Sequence, residues 1–229
     1  MRNLVPSNLP PGVTCRFIHD DGPFNKGRAM NAGFRLSDGE VVAFGDADMV
    51  MPPELLDRAR LACAHGMDAV NPYHRLVDLS EQETRDLDTA SLPPPSMCSI
   101  AGEDRTGYRE VPCFAGGVFV VRGDFYQAIG GMDESFRGWG GEDNAMSTKI
   151  ERMTRRCAVA KEGTAFHLWH PRRRPPPDDA TYRENLRRAV EYLSMSDATL
   201  AALCRRQRED LLAHPAGTPA ADPARGRPA

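Results

Sequence analysis

Two aspartates follow directly on a run of apolar residues, and this pair is the first place where the sequence can do chemistry. Residues 41–45 read VVAFG, which is the length of a strand buried on both faces, and Asp46 and Asp48 come next. Two carboxylates there repel each other unless a cation or a hydrogen-bonding ligand lies between them. A divalent cation that bridges to a diphosphate would satisfy both. The alternative is a turn with two solvated aspartates.

Two histidines later in the chain can supply nitrogen ligands. His167 and His170 lie on either side of a Leu-Trp pair, at the end of a predicted strand segment and just before Pro171. A neutral imidazole can complete a site with Asp48, in the mixed nitrogen and oxygen set that suits manganese. The alternative is a structural role for both histidines.

A tryptophan among three glycines precedes an acidic pair in the most distinctive segment, GWGGED at residues 138–143. Glycines let the backbone approach a ligand closely, and the ring face of Trp139 suits the C–H face of a sugar. Glu142 and Asp143 begin a predicted helix whose dipole favours their ionised form, and a carboxylate kept ionised there can act as a general base toward a hydroxyl. A glycine-rich turn with a helix cap would explain the acidic pair but not the tryptophan.

Polar and basic side chains begin another predicted helix near the N-terminus, at Asn25, Lys26, Arg28 and Asn31. The start of a helix is a natural site for the anionic groups of a ligand. The arginines at 172–174 lie between prolines and can close over a diphosphate as a lid. For both segments, a solvated surface is the alternative.

The elements that must position these residues alternate between strands and helices. Strands are predicted at residues 13–18, 41–45, 67–72, 113–121 and 158–167, with none between 73 and 110. Helices are predicted at residues 26–36, 53–65, 80–90, 124–130, 143–156 and 179–212. This order predicts an α/β domain with a mostly parallel central sheet flanked by helices. In such sheets ligands bind beyond the carboxyl ends of the strands, where the polar residues above fall.

Length and charge narrow the kind of protein further. The chain has 229 residues and a formal net charge of −3, which gives no general attraction to nucleic acid or to an anionic membrane. No apolar run approaches the roughly 20 residues of a membrane span, and residues 1–12 hold no signal-peptide core. We therefore expect a cytoplasmic protein with one domain at 1–212 and a disordered tail at 213–229.

Taken in order, these motifs resemble the β-1,4-galactosyltransferases and related GT-A glycosyltransferases of family 2. The resemblance rests on FNKGRAMNAGF at 24–34, FGDADM at 44–49, FAGGV at 114–118, GWGGED at 138–143 and His170. It implies a GT-A fold and a metal-dependent, inverting transfer of a sugar from a nucleotide sugar, with UDP favoured, to the hydroxyl of a carbohydrate or other acceptor.

The resemblance also implies roles for single residues. A Mn²⁺ or Mg²⁺ cofactor would be bound by Asp48 and His170, and by His167 as in some members of the family. Asp143 would be the general base, with Glu142 beside it. Donor contacts are expected at the remaining positions, which are Asn25, Lys26, Arg28, Asn31, Asp46, Gly117 and Trp139.

The chain departs from the family in two ways, and two other functions stay open. Asn144 stands where galactosyltransferases carry a further aspartate, so the acceptor is not implied. The family begins with a strand and helix that form part of the nucleotide-base pocket, and we expect the chain to lack them because nothing before Val13 supplies them. A non-catalytic nucleotide-sugar or carbohydrate-binding module is the main alternative. A nucleotidyltransferase ranks lower, since no glycine-rich phosphate loop with basic residues stands near the N-terminus.

Overall fold

The computed structural model describes residue 15 and residues 22–87, 108–110, 114–171 and 175–213. The predicted strand at 13–18 except Cys15, the arginines at 172–174 and the tail from 214 onward lie outside these residues. The described helices are α1 Lys26–Arg35, α2 Pro53–Ala64, α3 Glu81–Asp86, α4 Gly123–Ala128, α5 Glu142–Met153, α6 Ala180–Ser194 and α7 Asp197–Ala213. The described strands are β1 Val41–Gly45, β2 Met49–Val50, β3 Ala69–Asn71, β4 Arg75–Asp78, β5 Tyr108–Glu110, β6 Val118–Arg122, β7 Cys157–Val159 and β8 Thr164–His167. None of the described helices combines the length and the apolar character that crossing a bilayer requires.

Four of the described helices begin at polar side chains that cap them, and at α7 the hydroxyl of Ser196 accepts from the N–H of Thr199 at 3.2 Å. The side chains of Asn25, Ser80 and Asp179 each accept a hydrogen bond from the backbone N–H three residues later, at 2.8, 3.3 and 2.8 Å. At Ser80 the cap is reciprocal, because its own N–H donates to Glu83 at 2.8 Å. These local signals set where α1, α3, α6 and α7 start.

The strands form two four-stranded mixed sheets, in the orders β1-β6-β3-β7 and β2-β8-β4-β5. Within the described residues only the pairs β3/β7 and β4/β8 are parallel, while the other four pairs are antiparallel. The α/β class is confirmed, but the expectation of a mostly parallel sheet is wrong for these strands. The expected burial of β1 on both faces is also wrong, since Phe44 is buried but Ala43 and Gly45 are exposed. An apolar run carries no information about the direction of a strand.

The short strands of the second sheet escaped the sequence pattern. β2 has two residues, β4 has four and β5 has three. All three lie outside the predicted strands, and β4 and β5 lie in the stretch from 73 to 110 where no strand was predicted. Runs this short do not establish a periodicity of two. The chain passes from the first sheet to the second in the three residues between β1 and β2, at Asp46 to Asp48.

The core lies on β6, which stands between β1 and β3. Phe119 and Val121 of this strand are fully buried. The ring of Phe44 stacks between Phe119 and Tyr126, with centroid distances of 5.1 and 4.6 Å. A separate apolar cluster joins the two sheets, and it consists of Leu55, Tyr73, Leu76, Val118 and Ala165. The first core fixes α4 on its sheet, and the second fixes one sheet against the other.

A short segment after α4 anchors α1. Asn31 of α1 donates from its side-chain amide to the backbone carbonyl of Met132 at 2.9 Å. Asn25, which caps α1, donates from its amide to the backbone carbonyl of Glu134 at 2.7 Å. On the other side, Tyr192 of α6 donates to the carboxylate of Asp133 at 2.7 Å. The segment therefore holds α1 and the C-terminal helices in one arrangement.

Lys149 of α5 carries an amino group into the interior beside the same segment. Its side chain is fully buried, and it donates to the carbonyl of Gly131 and to Oε1 of Gln207, the latter at 2.8 Å. Burial penalises the charged form and lowers the pKa of Lys149 from its usual 10.5 to about 8.

We expect this lysine to make the stability of the fold depend on pH. Between about pH 8 and 10.5 the folded chain binds fewer protons at Lys149 than the unfolded chain, so the free energy of unfolding rises with pH across that window. The substitution Lys149→Met removes this contribution, which is on the order of 3 kcal/mol. Urea unfolding at several pH values measures it. Exposed Lys161 provides the control: Lys161→Met should keep the wild-type slope, and an equal slope in Lys149→Met would contradict the assignment.

Candidate active site

Three side chains meet at the carboxyl ends of strands from both sheets. Asp48 follows β1, His167 ends β8 and His170 lies just beyond, and each offers a ligand atom within 4.8 Å of the others. The backbone fixes this meeting, because Met49 pairs with His167 across β2 and β8 and the N–H of Leu168 donates to the carbonyl of Asp48 at 2.8 Å. The structure thus brings together the three residues from which the sequence predicts a metal site.

The Asp48 carboxylate is the centre of this group. Its Oδ2 lies 3.1 Å from Nε2 of His170 and 3.4 Å from Nε2 of His167. Its Oδ1 is buried and has no hydrogen-bond partner among the described residues. The hydrogen bond from His167 outweighs burial and holds the pKa of Asp48 below its usual value. One carboxylate and two imidazoles, with a buried oxygen left unpaired, fit a divalent cation of the manganese type.

Lys26 connects the aspartate pair to the acidic helix start. Its Nζ lies 2.7 Å from Oδ1 of Asp46 and 2.9 Å from Oδ1 of Asp143, and only 11% of its side chain is exposed. Burial lowers the pKa of Lys26, but the charges of Asp143 and Asp46 together outweigh burial and leave it above its usual value. The ammonium therefore stays charged and holds the two carboxylates together.

Burial has the largest effect on the pKa values of the acidic pair at the start of α5. It raises the pKa of Asp143, although the Lys26 ammonium opposes the rise, and it raises the pKa of Glu142, with help from the charge of Asp143. The sequence predicted only the helix dipole, which acts in the other direction. Oε2 of Glu142 is also buried and has no hydrogen-bond partner among the described residues. A carboxylate with a raised pKa is a stronger base, and the unpaired oxygen next to it can accept from a hydroxyl.

The glycines around Trp139 shape the turn that precedes this pair. Gly138, Gly140 and Gly141 have φ values of 70, 100 and 91°, which residues with a Cβ rarely adopt. About half of the Trp139 side chain is exposed, and its ring lies 5.6 Å from that of Tyr182, centroid to centroid. The turn thus presents an aromatic surface beside the acidic pair.

Helix α6 holds this turn in place. The buried amide of Asn185 donates to the backbone carbonyls of Arg137 at 2.7 Å and of Trp139 at 3.2 Å. Asn185 and Tyr182 are residues that sequence reasoning missed. Both lie in a long predicted helix, and nothing in the helical pattern distinguishes them from their neighbours.

Two of the predicted donor-binding residues are used in packing. The amide of Asn31 donates to Met132 and Glu134 and accepts from the hydroxyl of Tyr126 at 2.7 Å, while Asn25 caps α1. The structure accounts for both amides without a ligand, and a donor contact for either stays a prediction that these bonds do not support.

Gly117 lies against the turn that carries the aspartate pair. Its carbonyl accepts from the N–H of Asp46 at 3.0 Å, and a Cβ at this position would lie 2.4 Å from the hydroxyl oxygen of Tyr73. Gly117 has a φ of 82°, so the site requires glycine for two reasons. Its donor contact, like that of Arg28, stays a prediction.

The sequence matches two family models. One is described as glycosyl transferase family 2 and covers residues 11–130. The other is described as the N-terminal domain of galactosyltransferase and covers residues 98–171. The chain belongs to glycosyl transferase family 2. This family assignment agrees with the motif order noted in the sequence.

Curated relatives and a solved structure are also similar to this family 2 chain. Human chondroitin sulfate N-acetylgalactosaminyltransferase 2 is 30% identical in an alignment of 183 residues that covers 77% of this chain and 31% of that protein. Validoxylamine A glucosyltransferase of Streptomyces hygroscopicus subsp. jinggangensis (strain 5008) is 23% identical over 187 residues, covering 68% of this chain and 42% of that one. The structure of GalNAc-T7 with UDP, GalNAc and Mn²⁺ is 16% identical and has a TM-score of 0.47, with 80% of this chain and 40% of that one covered. The chain therefore spans about a third of the length of the first of these relatives.

The substitution Lys26→Met should raise the pKa of Asp143 further, because it removes the ammonium that opposes burial. A titration of the aspartate carboxyl carbons by NMR measures this shift. Lys161→Met makes the same chemical change at an exposed position and should leave Asp143 as it is in the wild type. An Asp143 that titrates identically in Lys26→Met would mean that the ion pair does not form in solution.

Proposed function

We propose that the protein transfers a sugar from a nucleotide-diphosphate sugar, with UDP favoured, to a hydroxyl of a carbohydrate or other acceptor, in a metal-dependent and inverting reaction. One observation carries the proposal. Lys26 joins the buried carboxylate of Asp143 to Asp46, which lies two residues from the Asp48 group. Lys26 thus connects the base to the turn that also carries Asp48 of the cation site.

The residues that would hold Mn²⁺ or Mg²⁺ are Asp48, His167 and His170. The buried and unpaired Oδ1 of Asp48 supports this role, since an anionic oxygen in that position needs a cation or a donor. A divalent cation bound there supplies positive charge that stabilises a departing diphosphate. Two imidazoles in the donor set favour Mn²⁺ over Mg²⁺, which prefers oxygen ligands.

The remaining residues act on the two substrates. Asp143 takes the proton of the acceptor hydroxyl, and its burial makes it a stronger base than a solvated aspartate. Glu142 accepts a hydrogen bond from the acceptor through its unpaired oxygen. Trp139 offers its exposed ring to the C–H face of a sugar, and Asp46 faces the hydroxyls of the donor. A single displacement with the base on the face opposite the leaving group inverts the anomeric carbon.

The names of the relatives support the class of reaction. One is an N-acetylgalactosaminyltransferase and another a glucosyltransferase, so both transfer sugars. Their different sugars leave the donor sugar of this chain open, and Asn144 leaves the acceptor open.

The proposal is tested with a panel of nucleotide sugars and Mn²⁺, scored for release of the nucleoside diphosphate. Slow hydrolysis of one donor without an acceptor is expected, and a chelator should stop it. Binding of nucleotide sugars with no turnover of any of them, with or without carbohydrate acceptors, would instead favour the non-catalytic module.

The substitution Asp143→Asn should lower transfer by about 10²–10⁴-fold, since it removes the base while keeping the size of the side chain. Mn²⁺-dependent binding of UDP, measured by calorimetry, should stay within about twofold of the wild type. Asp57→Asn makes the same change at an exposed residue of α2 and should keep full activity. Retained turnover in Asp143→Asn would remove Asp143 from the mechanism.

The substitution Asp48→Ala should abolish the Mn²⁺ dependence of UDP binding, because the carboxylate at the centre of the group is lost. Calorimetry with and without Mn²⁺ measures the difference between the two affinities. Asp38→Ala, at an exposed position, should preserve that difference. A Mn²⁺ effect of wild-type size in Asp48→Ala would place the cation elsewhere.

A further inference from the structure

The ring of His167 lies between two carboxylates, each facing a different nitrogen. Nε2 is 3.4 Å from Oδ2 of Asp48, and Nδ1 is 3.6 Å from Oδ1 of Asp78. Only 13% of the His167 side chain is exposed, so water competes little for either nitrogen. Asp78 lies in no motif of the sequence and has no part in the reaction proposed above.

The sheet places Asp78 behind His167. Strands β4 and β8 run parallel in a register that sets Asp78 directly opposite His167. Just beyond Asp78, the N–H of Leu79 donates to the carbonyl of His167 at 2.9 Å. Both residues are strand ends fixed by backbone hydrogen bonds, so their facing positions do not depend on a loop.

The second histidine has a similar arrangement with a weaker partner. Nδ1 of His170 lies 3.3 Å from the backbone carbonyl of Pro171, while its Nε2 faces Asp48. In both histidines, therefore, Nδ1 faces an oxygen acceptor and Nε2 faces the centre of the group. Asp48 offers an oxygen to Nε2 of each ring as well, at 3.4 Å in His167 and 3.1 Å in His170. A neutral imidazole has one N–H, and a ring that gives its Nε2 lone pair to a cation carries that N–H on Nδ1, where the acceptors above can hold it.

We infer that Asp78 is a positioning residue, which holds the Nδ1–H of His167 and so directs the Nε2 lone pair at a divalent cation beside Asp48. This inference rests on the proposed function, since it needs a metal at that group. The 3.6 Å separation is about half an ångström longer than a formed N–H···O bond. A cation bound at Nε2 would make the Nδ1–H of His167 a better donor and would draw the Asp78 carboxylate toward it.

An anionic partner does more than orient the ring. It increases the electron density that the imidazole gives to a metal, and the loss of such a partner typically weakens metal binding by about 10–100-fold. Because the carbonyl at His170 carries no charge, the two histidines are unequal ligands. Asp78 is therefore the charged partner of the two.

The test compares Asp78→Asn with the wild type in the binding of Mn²⁺ alone, without nucleotide. Asparagine keeps the size of the side chain and removes its charge. Loss of the free Mn²⁺ signal in electron paramagnetic resonance gives the Kd, and pulsed spectra of the bound ion report the couplings to imidazole nitrogens. The matched control is Asp86→Asn, which removes the same charge from an exposed residue of α3. A third variant, Asp78→Glu, keeps a carboxylate.

The expected result is a Kd at least about tenfold higher in Asp78→Asn, with one of the two nitrogen couplings lost or altered. Asp86→Asn should match the wild type, and Asp78→Glu should bind more tightly than Asp78→Asn. An unchanged Kd overturns the inference. A higher Kd with both couplings unchanged and a lower melting temperature also overturns it, since that pattern describes a structural residue. A wild-type protein that binds no Mn²⁺ overturns the metal-dependent function as well, which separates the two failures.

Discussion

The charge of Lys26 is the constraint on which the rest of the site depends. Two carboxylates, Asp46 and Asp143, come within hydrogen-bonding distance of one ammonium in a mostly buried position. Without that ammonium they would face each other unneutralised, at a cost that buried like charges always carry. The lysine is the first residue of α1, so the placement of this helix decides whether the site forms. The amides of Asn25 and Asn31 provide that placement by fixing α1 on the segment after α4.

The candidate metal ligands, Asp48, His167 and His170, are positioned by different elements. They lie at the ends of paired strands, and backbone hydrogen bonds fix His167 from both sides, through Met49 and through Leu79. Positions in a sheet are held more closely than positions in a loop, which suits a group that must present several ligand atoms to one ion. The two halves of the site therefore have separate supports, a helix start for the base and a sheet edge for the cation.

The sequence predicted the parts of the site that depend on residue type. A carboxylate pair after an apolar run, two nearby imidazoles and an acidic helix start have few other uses together. The structure places the first carboxylate against the helix start through Lys26 and the second against the imidazoles. The properties that depend on which residues pack around a side chain could not be predicted from the sequence. Burial raises the pKa of Asp143 against the helix dipole, and only the packed chain shows how buried that carboxylate is. Asp78 could not be recognised in the sequence because its strand has four residues, too few to show the alternation of a strand. The direction of the strands escaped for a related reason, since hydrophobicity does not encode it.

The link between β1 and β2 carries the chain from one sheet to the other. Each of its two ends provides one aspartate to one half of the site. Asp46 turns to the ammonium and Asp48 to the imidazoles, with Ala47 alone between them. Within this three-residue link, a single residue sets the separation of the two aspartates. An insertion or deletion in this link would keep every side chain of the site and both sheets. It would nevertheless move Asp46 and Asp48 relative to each other, so the base and the cation group would no longer be aligned. The apolar cluster with Leu76, Val118 and Ala165 holds together the two sheets that this link connects, so a change in the link would not be absorbed by a shift of the sheets.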